Sequence, residues 1–130
     1  MKKSALPRQY SLGRVRNLYE DLAWHYDFCC WMTESKSQQR TVDLAIRDKS
    51  ETVLDVAVGT GYIIEATADK VKDGLVVAVD VSEHMMSKAK KKVSERDNVL
   101  LQYACAYNLP FRSATFDVVL NTYMLGLMPE

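Results

Sequence analysis

Asp55, Gly59, Gly61 and Asp80 are the residues of this chain whose types and spacing could do chemistry. Asp55 lies inside an apolar run, Val53-Leu54-Asp55-Val56-Ala57-Val58, that ends in the turn Gly59-Thr60-Gly61. Asp80 closes a second apolar run, Leu75-Val76-Val77-Ala78-Val79. A strand feeding a tight glycine turn and then a helix presents backbone N–H groups where a ligand can come close. A carboxylate at the tip of the next strand can accept charge-assisted hydrogen bonds from a ribose diol. Such a pair makes half of a nucleoside-binding site.

The surrounding elements must hold these groups in place. The pattern predicts a strand over Thr52–Val58, near-continuously apolar and so buried on both faces. A helix over Tyr62–Val71 follows, with Ile63, Ile64 and Thr67 toward the sheet and Lys72-Asp73-Gly74 as its stop. Leu75–Asp80 is the second strand. Ser82 is a good N-cap for a helix over Glu83–Ser94, whose Met85, Met86, Ala89 and Val93 recur at helical spacing. Val99–Tyr103 and Phe116–Asn121 read as the third and fourth strands, joined by a loop carrying Leu109-Pro110-Phe111. Upstream, Val15–Met32 and Gln38–Ile46 read as helices, and Tyr123–Met128 could start another. Strands alternating with helices imply an α/β fold with an open, doubly wound, mostly parallel sheet. Three regions follow: a flexible basic leader over 1–14, N-terminal helices over 15–50, and the nucleoside-binding core over 51–130.

Composition narrows the class. A chain of 130 residues can bury one core. Seventeen basic and seventeen acidic side chains cancel, so no broad field favours nucleic acid or anionic lipid. No apolar stretch approaches a membrane span. Cys29, Cys30 and Cys105 make no disulfide framework, which points to the reducing cytoplasm. With no Cys-x-x-Cys and no companion histidine at ligand spacing, no metal site is expected.

The half-site discriminates among cofactors. A dinucleotide fingerprint needs a third glycine where Ile64 stands, and Asp55 would repel a pyrophosphate. No Gly-Lys-Ser/Thr follows the glycines, so a P-loop is excluded. A ligand with a cationic centre and an amino-acid tail suits the residues better. Asp55 could organise the loop and, through water or backbone, the tail's ammonium. Gly59 and Gly61 let the backbone pass beneath it, and Asp80 takes the ribose. S-adenosylmethionine (SAM) meets those demands.

The chain resembles the class I SAM-dependent methyltransferases, closest to the ubiquinone/menaquinone-biosynthesis branch of small-molecule enzymes. Val53 to Gly61 resembles their first motif, and Val79-Asp80-Val81-Ser82-Glu83-His84-Met85 their second. Leu109-Pro110-Phe111 with Phe116-Asp117-Val118-Val119 resembles the segment entering the fourth strand, and Tyr19, Ala23, Tyr26 and Asp27 a less specific leader. The resemblance implies a Rossmann-like methyltransferase fold of which this chain carries the N-terminal half, with the 15–50 helices on the lid side of the substrate. By that similarity Gly59 and Gly61 lie under the methionine part, and Asp80, with Val81 beside it, on the ribose. Met85 is either a contact or core. Asn121 either faces the methionine and substrate or satisfies loop backbone. Asp117 ties down the loop before the fourth strand.

Two departures from the family pattern stand out. Ala57 occupies a position where the family usually has glycine; its methyl is tolerable if its backbone keeps a negative φ. Cys105 stands where an aspartate commonly accepts from the adenine amino group, while the Ala106 N–H could still meet the ring. The expected function is methyl transfer from SAM to a small-molecule acceptor, an in-line displacement that needs alignment and exclusion of water. No catalytic base is identified; Tyr26, His25 and Asn121 are the polar groups near the expected methyl position. His25 and the Cys29-Cys30 pair read more simply as packing, and Lys88, Lys90, Lys91 and Lys92 as a solvated helix face. The implied seven-stranded sheet is incomplete here, so weak SAM binding and poor turnover are expected of the isolated chain. Its apolar fourth strand leaves an edge that a second copy or a partner chain could cover. The alternative function is therefore an inactive methyltransferase-like domain that binds a protein partner.

Overall fold

The computed structural model describes residues 35–122 and Asn17. The leader 1–14, the helix expected over Val15–Met32 (Asn17 apart) and the segment Tyr123–Met128 lie outside the described residues. So do His25, Tyr26, Cys29 and Cys30.

Helix α1 spans Ser35–Ala45, beginning and ending slightly before the expected Gln38–Ile46. Val42, on α1, and Ile46, just past its end, are buried; Leu44 and Arg40 point to solvent. Strand β1 spans Thr52–Val56, helix α2 Ile64–Lys70 and strand β2 Leu75–Asp80. Helix α3 spans Glu83–Val93, strand β3 Val99–Tyr103 and strand β4 Val118–Leu120. All pairings are parallel, in the order β3-β2-β1-β4. The chain therefore builds outward in one direction from β1 and then returns to its other side. That reversal creates a crevice at the carboxyl ends of β1 and β4, where ligands of open α/β sheets bind.

The two central strands are the buried ones, as their unbroken apolar sequence requires: Val53 to Val56 and Val76 to Val79 are all inside. One sheet face, with Val53, Val76, Ala78 and Leu120, packs on Val42 and Ile46 of the α1 region, Ile64 and Ala68 of α2, and Met86 and Val93 of α3. The other face, with Leu54, Val56, Val77 and Val79, is covered by Ala104, Ala106, Leu109, Phe111 and Phe116 of the β3–β4 connection. Ser82 caps α3 as expected, its hydroxyl accepting from the Met85 N–H at 3.3 Å. Asn98 closes α2 from outside the helix, donating to the carbonyls of Ala68 and Val71 at 2.9 and 3.2 Å.

Two strands are shorter than their sequence predicts. β1 stops at Val56 instead of Val58 because Ala57 turns to φ 61° and leaves the extended region. β4 covers Val118–Leu120 instead of Phe116–Asn121. Phe116 drops out of the ladder to pack edge-to-face on Phe111, with ring centroids 5.1 Å apart. Asp117 turns its carboxylate to β1, accepting from the Thr52 N–H at 2.8 Å and the Thr52 hydroxyl at 2.9 Å. This is the tether expected of Asp117. Among the described residues β4 pairs with β1 alone, and Val119 is 61% exposed.

Candidate functional site

The loop between β1 and α2 alternates in handedness. Ala57, Gly59 and Gly61 adopt φ values of 61°, 59° and 75°. For the glycines this conformation is free of penalty; for Ala57 it costs on the order of 1–2 kcal/mol. The expectation of a negative φ at Ala57 is thus overturned. The reason lies in where the loop's amides go. The Val58 N–H donates to the Val79 carbonyl at 3.0 Å, the Gly59 N–H to Asp80 Oδ2 at 2.8 Å, and the Gly61 N–H to the Val58 carbonyl at 3.0 Å. Reaching the end of β2 on consecutive residues forces the chain to flip directly after Val56.

Gly61 is required for a second reason. A Cβ built there would stand 3.0 Å from Ala89 Cβ of α3 and 3.0 Å from Ile64 Cγ2. The loop and α3 meet so closely that any larger residue would have to push Ala89 or Ile64 aside.

Asp80 sits where its sequence position implies, against the glycine loop. Oδ2 accepts from Gly59, and Oδ1 accepts from the Ser82 N–H at 2.9 Å. Burial raises its pKa, while the amides of Ser82, Gly59 and Val81 pull the other way. A carboxylate has roughly four acceptor sites and these amides take at most three. Acceptor capacity therefore remains for a hydroxyl. The Asp80–Ser82 bond is an Asx turn, which makes Ser82 both the cap of α3 and a support of the carboxylate. The Asp-x-Ser spacing carried that second role unread.

Asp55 is 1% exposed, and neither of its carboxylate oxygens has a hydrogen-bond partner among the described residues. It shares the helix-covered sheet face with Asp80: Asp55 is paired in register with Ala78, two residues before Asp80. Burial first, and the Asp80 charge second, push its carboxyl up to about 7. Across β1 on the other side, Asn121 follows Leu120, the register partner of Asp55. Its Oδ1 is likewise buried without a partner. Asp55 and Asn121 thus lie near the carboxyl ends of neighbouring strands, one register position apart, each with buried acceptor atoms that no described residue satisfies. Both residues were legible in the sequence; their adjacency was not, because β1 and β4 are distant along the chain.

The remaining candidates are placed as follows. Met85 is buried at 1% exposure on α3, a packed side chain in this arrangement. Val81 is half-buried between Asp80 and the α3 cap. Cys105 is half-buried just past β3, in an isolated bridge with Asn108, and Ala106 joins the cover of the second sheet face. His84, Lys90 and Lys91 face solvent, whereas Lys92 lies over the Tyr62 ring at 5.9 Å. Among the described residues no group of three or more His, Cys, Asp or Glu could hold a metal ion, and no helix is long and apolar enough to cross a membrane.

Comparison with known proteins agrees with this geometry. Residues 53–130 match the family model described as a methyltransferase domain. Demethylmenaquinone methyltransferase of Bacillus licheniformis is 30% identical over 122 residues, covering 90% of this chain and 53% of that protein. Aklanonic acid methyltransferase DauC of a Streptomyces species is 30% identical over 95 residues, covering 71% and 43%. A SAM-dependent methyltransferase structure from Aquifex aeolicus superposes with TM-score 0.63 at 20% identity, over 94% of this chain and 62% of that one. This last likeness speaks to the fold. The chain spans about half the length of the demethylmenaquinone methyltransferase relatives it matches. The chain belongs to the methyltransferase-domain family.

Proposed function

We propose that this chain is the cofactor-binding half of a SAM-dependent methyltransferase acting on a small-molecule acceptor. The observation that carries the reading is the bond from the Gly59 N–H to Asp80 Oδ2 at 2.8 Å. It joins a left-handed glycine loop and a strand-tip carboxylate into one cradle. Gly59 and Gly61 would underlie the methionine part, Asp80 and Val81 would hold the ribose, and Ala106 and Cys105 would border the adenine. The orphaned oxygens of Asp55 and Asn121 suit the donor-rich ammonium of the amino-acid tail, an electrostatic match that a pyrophosphate could not make. When bound, SAM supplies a methyl group already activated by its sulfonium. The chain's own residues bind and orient it and exclude water. Several relatives are named as quinone methyltransferases, which favours an acceptor of that kind.

Titration of the purified chain with SAM and with NAD, read as protection against thermal unfolding, tests this assignment. Protection by SAM alone supports it, and protection by NAD alone overturns it. Asp80→Asn should weaken SAM binding tenfold or more, since it loses a charge-assisted acceptor and points an amide donor at a backbone N–H.

The exposed Val119 on β4 also suits a second reading, in which the domain binds a protein partner along that edge. A chain that ignores SAM yet forms a stable complex through residues 116–121 would favour it.

A further inference from the structure

We propose that cofactor binding is coupled to release of a proton from Asp55, the ligand's ammonium replacing that proton as the partner of the buried carboxyl. This rests on the SAM-binding assignment and adds a regulatory property to the same site.

The argument begins with what Asp55 lacks. Both oxygens are buried without a donor among the described residues, and the loop amides of Val58, Gly59 and Gly61 are committed to Val79, Asp80 and Val58. An ionised carboxylate in that position is uncompensated, and a second carboxylate, Asp80, shares its sheet face on the adjacent strand. Among the described residues, no cation acts on it: burial and Asp80 alone shift its carboxyl. β2 contributes Asp80; β4 is uncharged and ends next to the amide of Asn121. On α2, Glu65, Asp69 and Lys70 are exposed; on α3, Glu83, His84, Lys90 and Lys91 are exposed and Lys88 and Lys92 are half-buried. On α1, Arg40 and Asp43 face solvent, Asp43 paired with Lys70.

The ligand-free carboxyl therefore holds its proton close to neutrality, at about 7. An arriving ammonium supplies both the opposite charge and the hydrogen-bond donors that the site lacks. The carboxylate form is then favoured, the proton passes to solvent, and the ammonium keeps its own. Below neutrality the empty site resists a cation by the work of removing one proton, so affinity climbs about tenfold per pH unit up to roughly pH 7.

Calorimetric titration of the full chain with SAM at pH 6.0, repeated in buffers of different ionisation enthalpy, counts the protons released. The expected result is about one proton per SAM bound. Adenosine, which keeps the ribose and lacks the ammonium, should bind with none released. Asp55→Asn should bind SAM with no proton release and with an affinity that is flat between pH 5.5 and pH 7. SAM binding to the unaltered chain without proton release overturns the coupling and leaves the SAM assignment standing. Proton release that persists in Asp55→Asn also overturns it. Absence of SAM binding at every pH overturns both.

Discussion

Asp55 and Asp80 occupy neighbouring strands and the same sheet face, yet one carboxylate is held by backbone amides and the other by nothing. Asp80 accepts from Gly59 and Ser82; Asp55 accepts from no described residue. The first builds the loop, and the second keeps its acceptor capacity unused.

The buried carboxyl of Asp55 adds its own pH dependence to folding. Asp55 is raised to about 7 in the folded chain, against an ordinary value near 3.8. Between these values the native state holds a proton that the unfolded chain has released. The contribution of Asp55 to stability is therefore highest below about pH 4, falls as pH rises toward 7, and levels off above it, a change on the order of 4 kcal/mol. Asp55→Asn should match the parent chain at pH 4 and exceed it in urea midpoint at pH 8. A variant equally stable at pH 8 would count against a strained carboxylate.

Ala57→Gly should stabilise the chain. The left-handed backbone costs alanine on the order of 1–2 kcal/mol, and glycine adds back up to about 1 kcal/mol of unfolded-chain entropy. The expected net gain is about 0.5–1 kcal/mol, read as a higher urea midpoint with an unchanged slope. A lower midpoint would mean that the alanine methyl makes a contact worth more than its strain.

Gly61→Ala should destabilise by about 2 kcal/mol or more. It combines a disfavoured φ with a Cβ 3.0 Å from Ala89 Cβ. The loss from Gly61→Ala should be smaller when it is made in an Ala89→Gly background, because the Ala89 Cβ is gone while the φ penalty and the Ile64 contact stay. An equal loss in the two backgrounds would show that crowding against the Ala89 Cβ contributes nothing.

Cys105→Asp should strengthen SAM binding. Cysteine is a poor acceptor for an adenine amino group, whereas an aspartate accepts through a charged oxygen. A charge-assisted bond is worth about 1.5–3 kcal/mol, so a gain of tenfold or more is expected by calorimetry. An unchanged affinity would place the adenine elsewhere.

The parallel architecture was legible because its signals are local. Val76 to Val79 read as a doubly buried strand and are one; Ser82 read as a cap and is one. Asp80 could be placed near the glycine turn because β1 and β2 are consecutive and joined by one helix. The handedness of Ala57 could not be read, since it is dictated by amides reaching Val79 and Asp80, not by its own side chain. The adjacency of the strands that carry Asp55 and Asn121 needed the knowledge that β4 returns beside β1. The retreat of Phe116 from β4 followed from a ring contact with Phe111 that no periodicity signals.

The clasp between Asp117 and Thr52 spans 65 positions of chain. Strands β1, β2 and β3 can assemble by short successive steps, whereas β4 must close that long loop before gaining any bond. The crevice beside Asp55 has no second wall until this closure is complete. A ligand that needs both walls of that crevice therefore finds them only in chains whose β4 has paired with β1.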